Sequence, residues 1–163
     1  MPATATTFYA IGHFRTEATT GRGGAAYSTW NIDEYNKSPR SFPDLELSEE
    51  RLWENMAWWA ERIVPVAEEA GVGLAMHPDD PPIASFLGME RILYDLEGLQ
   101  RLVDTVPSPS NGLNFCQGCV SEMAGVGVVE AIRRFGAQGK ILFAHFRDTR
   151  GTGPRFDEGF MDG

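Results

Sequence analysis

Three short apolar runs in this chain each end on a residue that can bind a metal: Gly73-Leu-Ala-Met-His77, Gly112-Leu-Asn-Phe-Cys116 and Ile141-Leu-Phe-Ala-His145. Their last residues lie 39 and 29 positions apart, about the length of one strand, one helix and two loops. Read as neighbouring parallel strands, the runs bring His77, Cys116 and His145 out side by side at the carboxyl end of a sheet, where α/β folds build their sites. Imidazole, thiolate and imidazole form a partial shell suited to a divalent transition metal.

The segments between the runs carry helix signals. Ser48 is a good N-cap with Glu49 and Glu50 in the first turn, and Leu52, Met56, Trp59, Ile63 and Val66 mark one apolar stripe. Pro65 should bend this helix locally, and Gly71 ends it before a strand over 72–76. Further helices are expected over 90–103 and about 126–135, the latter leading through Gly136 and Gly139 into a strand over 140–144. The first 45 residues say less: Phe8-Tyr-Ala-Ile-Gly12 is a candidate strand, 19–25 is loop chemistry, 36–43 is a polar connector, and 1–14 form a poorly assigned N-terminal segment. The alternation predicts an α/β fold with right-handed crossovers. Roughly four strands amount to half of an eight-fold barrel, which takes about 250 residues. The expectation is therefore one incomplete (β/α)-barrel domain over 1–163, with open strand edges that require a longer chain, a partner or another topology.

A chain of 163 residues can bury one core but not two. Its net charge of −9 argues against nucleic acid or an anionic membrane as partner. A small anionic substrate stays open, because a metal and a few arginines reverse the field locally. No apolar stretch approaches the roughly 20 residues of a membrane span, and Met1 to Thr7 lack signal-peptide character, so a soluble, cytoplasmic protein is expected. Cys116 and Cys119 are the only cysteines, and reduced thiols are the default reading.

Each candidate site has a plainer alternative. His77 opens His-Pro-Asp-Asp-Pro-Pro82, whose prolines would fix where the imidazole points; a solvated turn with a hydrogen-bonded histidine is an equal reading. Asp79 and Asp80 either orient ligand histidines or form a solvated pair. Cys116 is a buried structural thiol, half of a redox pair with Cys119, or a metal ligand with Cys119 incidental; Gly118 and Gly125 make a poor start for the helix a redox pair usually opens. His145 is followed by Arg147, which could grip a carboxylate with its two-pronged donor face or form a surface salt bridge with Asp148. Arg22, in a Gly-rich loop too short to cradle phosphate, could also meet an acid group. His13 reads as a surface residue, and Trp53, Trp58 and Trp59 as core packing.

Taken together, several segments resemble the mannonate dehydratase family over about Arg15 to Gly163: Pro65-Val-Ala-Glu-Glu-Ala-Gly-Val-Gly-Leu-Ala-Met-His77-Pro-Asp-Asp-Pro-Pro82, Gly112-Leu-Asn-Phe-Cys116-Gln-Gly118, Ile141-Leu-Phe-Ala-His145-Phe-Arg147 and Phe156-Asp-Glu-Gly-Phe-Met-Asp162. Arg22-Gly-Gly-Ala25 and Leu52-Trp-Glu-Asn55 also look like family segments. The resemblance implies a xylose-isomerase-like TIM-type barrel using Mn(II) or Fe(II), with His77, Cys116 and His145 matching three of the metal ligands. It implies a lyase of hexuronate (glucuronate) catabolism that removes water from D-mannonate to give 2-keto-3-deoxy-D-gluconate, with Arg147 and Arg22 as substrate-binding candidates. The family's further ligand, an aspartate followed by an acid/base histidine, is expected beyond Gly163, and its opening strands are unrecognisable before about Tyr9. The isolated chain is accordingly expected to turn over poorly. The alternatives are a metal-dependent sugar isomerase or epimerase of the same barrel class, a non-catalytic remnant that folds by association as a homo-oligomer, and, last, a thiol redox protein.

Overall fold

The computed structural model describes residues 1–8, 14–38, 42, 47–123 and 125–159. His13, most of the Phe8–Gly12 segment, half of the 36–43 connector and Phe160 to Asp162 lie outside the described residues. In chain order the elements are β1 (Ala3–Thr6), β2 (Thr19–Thr20), β3 (Ala26–Asn31), α1 (Ile32–Lys37), α2 (Glu49–Glu69), β4 (Gly73–Met76), β5 (Ser85–Phe86), β6 (Met89–Glu90), α3 (Leu96–Thr105), β7 (Asn111–Cys116), α4 (Gln117–Glu122), α5 (Val128–Ala137), β8 (Ile141–His145), β9 (Asp148–Thr152) and β10 (Arg155–Gly159).

The three ligand-ended runs are indeed β4, β7 and β8, neighbours in a parallel sheet of order β1-β4-β7-β8. Every residue of β4 and β7 is buried, as expected of parallel strands covered on both faces. Helices α2, α3 and α5 cover the outer face, and Trp53, Met56, Met76, Leu99, Leu102, Leu113 and Phe135 fill the core between. The sheet curls into half of a TIM-type barrel, α/β in class. On its inner face, a Cβ at Gly112 would stand 2.7 Å from both the Leu142 side chain and the Lys140 carbonyl oxygen, so only glycine admits this close approach. β1 occupies a segment in which the sequence revealed no element; its residues Ala3 to Thr6 pair in parallel with Gly73 to Met76. At the other edge β8 is largely exposed, Phe143 at 43%.

A second sheet, antiparallel in order β2-β3-β10-β9, packs Trp30 and Phe156 against Phe86, Leu87 and Met89. Asp157 ties it internally by accepting from the hydroxyls of Thr19 and Thr29 at 2.7 and 2.6 Å.

Three local expectations are corrected. The buried face of α2 is Trp53, Met56, Ala60, Val64 and Ala67, one residue round from the expected stripe. Ala60 and Ala67 let the helix lie close to β4, while Leu52, Trp59 and Ile63 are only partly buried at its flanks, and Val66 is exposed. Trp58 is likewise outside the core, 60% exposed with the Arg62 guanidinium 4.3 Å over its ring. Residues 90–94 do not join α3, because Asp79 holds them: it accepts from Arg91 at 2.9 Å and from the Leu93 N–H at 2.7 Å. The helix starts instead where Asp95 caps the Gly98 N–H at 2.7 Å. No described helix is long and apolar enough to cross a membrane.

Candidate metal and sugar-acid site

At the carboxyl ends of β4, β7 and β8, a cavity of about 340 Å³ is lined by His77, Cys116 and His145 together with Arg15, Asp80, Arg147 and Glu158. A larger recess of about 430 Å³ beside Phe14, Tyr35 and Leu87 has neither histidine nor cysteine in its lining. The strands thus deliver the three sequence candidates to one opening, but not equally. The potential donor atoms of His77, Cys116 and Cys119 all lie within 4.8 Å of one another. His145 does not join that group: its ring centroid is 5.1 Å from that of His77, and its Nε2 meets the Asn114 side-chain amide at 3.2 Å.

Cys119 reaches the site because Gly118 does not prevent α4 from forming; the short helix opens directly at the end of β7, with Cys116 as its N-cap. Both sulfurs are buried. The hydrogen bond from Cys119, together with that from His77, lowers the Cys116 thiol below its ordinary range, despite burial. The Cys119 thiol is raised in turn, by that same hydrogen bond and by burial. Burial, the largest influence, lowers the His77 imidazolium, but the hydrogen bond to Cys116, the Cys116 charge, the Pro78 carbonyl contact and the Asp80 charge together outweigh it, and the net shift is upward. The His77 Nδ1 also contacts the Pro78 carbonyl oxygen at 2.6 Å.

The opposite wall is a closed ring of alternating charge. Asp80 receives Arg15 at 2.7 Å on one carboxylate oxygen and Arg147 at 3.1 Å on the other. Glu158 completes the ring, contacting Arg147 Nη1 at 3.1 Å and Arg15. Arg147 lies across Gly118, where a Cβ would come within 2.5 Å of its Cγ and Nε. From there its Nη2 reaches Cys119 Sγ at 3.3 Å and Glu122 Oε1 at 2.9 Å. Glu122 has no exposure at all, and burial, with the Asp80 charge adding, pushes its carboxyl up to about 9. Near neutrality Glu122 is therefore protonated, and Asp80 and Glu158 are the groups that pair with the two arginines.

Asp79 serves the loop rather than the histidines, and Asp80 serves the arginines. Arg22 is exposed on a turn and is not in the cavity lining. Arg15, Glu122 and Glu158 were not singled out by the sequence, and Cys119 was weighed only as a redox partner of Cys116 or as incidental to it. The Cys-x-x-Cys spacing and the three-residue step to Glu122 were signals for two of them; nothing near Arg15 announces it.

The donor chemistry fits a transition metal. Bonds of about 2.0–2.3 Å from nitrogen and sulfur place neighbouring donors of a tetrahedral site roughly 3.5 Å apart, a small contraction of the observed cluster.

These features define a half-barrel of the α/β class whose strand-end site combines nitrogen and sulfur donors with paired arginines. The family model for D-mannonate dehydratase (UxuA) matches residues 28–160, and the chain belongs to that family. Mannonate dehydratase from Thermotoga petrophila is 39% identical over 136 residues, 83% of this chain and 38% of that protein. Mannonate dehydratase 2 from Halalkalibacterium halodurans is 42% identical over 110 residues, 68% of this chain and 32% of that one. The crystal structure of mannonate dehydratase from Streptococcus suis serotype 2 superposes with a TM-score of 0.87 at 25% identity, over 97% of this chain and 48% of that chain. The chain thus spans well under half the length of the curated relatives it matches.

Proposed function

We propose that this chain carries the metal-holding, acid-binding half of a lyase that dehydrates D-mannonate to 2-keto-3-deoxy-D-gluconate in cytoplasmic hexuronate (glucuronate) catabolism. The observation that carries the reading is the cavity itself, with nitrogen and sulfur donors on one wall and Arg147 and Arg15 on the other. Mannonate offers matching groups, a carboxylate for a guanidinium and hydroxyls beside it for a metal. His77, Cys116 and His145 are the candidate ligands for Mn(II) or Fe(II). When bound, such an ion supplies Lewis acidity that polarises the carboxylate end and acidifies the adjacent C–H. The reaction balances as loss of that proton and of the neighbouring hydroxyl, together one water. Within this chain, Asp80 and Glu158 hold Arg147 and Arg15 in fixed orientation, so a bound acid meets preorganised donors at little reorganisation cost.

The test is ligand protection. With Mn(II) present, D-mannonate at 100 times its Kd should stabilise the chain by about 2.7 kcal/mol, and Arg147→Ala should abolish the effect. Protection by aldoses and ketoses but not by mannonate would reject the lyase reading in favour of a sugar isomerase or epimerase. Homo-oligomerisation is part of the proposal because β8 ends in exposed apolar groups, Phe143 at 43% and Phe146 at 78%. Size-exclusion chromatography across a concentration series would show it, and a strictly monomeric profile would remove it.

A further inference from the structure

Beneath the cavity lies a polar side chain that the sheet itself does not require. Asn114 is on β7 two residues before Cys116, so the two side chains leave the strand on the same face. Cys116 lines the cavity and Asn114 does not; only 1% exposed, Asn114 sits below the opening. Asn111, on the same strand, uses its amide to bond the Leu102 and Val106 carbonyl oxygens, each at 3.1 Å. Asn114 has a different neighbour: its Nδ2 stands 3.2 Å from His145 Nε2. Among the described residues its Oδ1 has no hydrogen-bond partner, and a buried acceptor without a donor is costly. Turning the amide about its last bond exchanges two ends of nearly equal shape and brings Oδ1 against the ring nitrogen. We propose that Asn114 is a positioning residue for His145: its Oδ1 accepts from Nε2–H, which fixes the ring and its tautomer and leaves the Nδ1 lone pair for the ion.

His77 is held by the same device. Its Nδ1 contacts the Pro78 carbonyl oxygen at 2.6 Å. A carbonyl can only accept, so Nδ1 carries the proton and Nε2 keeps its lone pair. Each histidine then has one nitrogen anchored on an oxygen and the other free to donate, the two rings being anchored through opposite nitrogens. An N–H partner for His145 would instead occupy the Nε2 lone pair and put the ring proton on Nδ1. The inference rests on reading the cavity as a metal site, and it keeps His77, Cys116 and His145 as the ligands.

The experiment uses the full chain, isotope-labelled, reduced and metal-free, in mildly alkaline buffer. The sequence has three histidines, and long-range proton–nitrogen correlation spectra show which ring nitrogen of each is protonated; His145 is identified by its loss in His145→Gln. The wild-type His145 ring should carry its proton on Nε2. A proton on Nδ1 overturns the inference, whether or not any variant folds and whatever the cavity binds. Mn(II) titration then reads the consequence. Asn114→Leu removes the acceptor at similar volume and should weaken Mn(II) binding by roughly 10–100-fold, with His145 relaxing to a mixture of tautomers. Asn114→Asp presents only oxygens and should keep both the Nε2–H tautomer and near-wild-type affinity. A loss in folded Asn114→Asp as deep as in Asn114→Leu, or no loss in Asn114→Leu, overturns the inference while leaving the cavity a metal site. Failure of the wild-type chain to bind Mn(II) overturns the metal reading and the role of Asn114 with it.

Discussion

Glu122→Gln should make this protein more stable at neutral pH, not less. The carboxyl is completely buried, and burial pushes its pKa from 4.5 up to about 9. In the unfolded chain the same group ionises near 4.5. Between these values the folded state holds a proton that the unfolded state releases, so stability falls with rising pH by about 1.4 kcal/mol per unit. At pH 7 the accumulated loss is about 3 kcal/mol, and it grows until the group ionises in the folded protein near pH 9. Below pH 4.5 it vanishes. Glutamine keeps the shape and an oxygen for Arg147 Nη2, which stands 2.9 Å from Glu122 Oε1, but binds no proton in either state. Urea unfolding of wild type and variant at pH 5, 7 and 8.5, with chelator throughout, measures the difference directly; other titrating groups cancel. The expected difference is about 1 kcal/mol at pH 5, about 3 kcal/mol in favour of the variant at pH 7, and larger at pH 8.5. If Glu122 were instead an ionised partner of Arg147, removing its charge would cost about 3–5 kcal/mol. A destabilised variant at pH 7 therefore refutes the reasoning by sign alone.

Two further substitutions probe the ring and the inner sheet face. Asp80→Asn removes the charge shared by Arg15 and Arg147 and should cost about 1–3 kcal/mol in urea unfolding, discounted for partial exposure, and should also abolish protection by mannonate; an unchanged midpoint would show the ring to be ornamental. Gly112→Ala forces a Cβ to within 2.7 Å of Leu142 and the Lys140 carbonyl oxygen and should cost about 1–3 kcal/mol, a melting-temperature loss of roughly 2–4 °C per kcal/mol, whereas an unaltered melt would mean that β8 yields freely.

The parallel sheet was legible because each of its interior strands is a continuous apolar run closed by a polar functional residue, and burial on both faces leaves little else such a run can be. α2 was legible as a helix, from its cap and its spacing, but not in its rotation. Periodicity identified large residues three and four apart, yet the helix seats itself on Ala60 and Ala67, because close approach to the sheet rewards small side chains that a hydrophobicity count passes over. The start of α3 was misread for a different reason: Asp79, 12 and 14 residues upstream, claims Arg91 and Leu93 through buried hydrogen bonds, and no local propensity reports a tertiary bond. The antiparallel sheet went unread because its strands are short and mostly polar, and β1 because Ala-Thr-Ala-Thr is a strand only beside β4.

The same asymmetry holds within the site. Residues at strand ends could be placed from sequence because strand geometry fixes the direction in which the chain delivers them. Arg15, Asp80 and Glu158 come from loops and from the second sheet, and their meeting depends on two sheets being docked, which no spacing encodes. Charge arithmetic nevertheless restricts how they can meet. Two half-buried arginines are paired with Asp80 and Glu158, and a third carboxyl in the same low-dielectric space is then surplus and holds its proton. Glu122 is that third group: its depth is the main cause of its raised pKa, the Asp80 and Glu158 charges of the ring add to it, and Arg147 and Arg15 only partly oppose it.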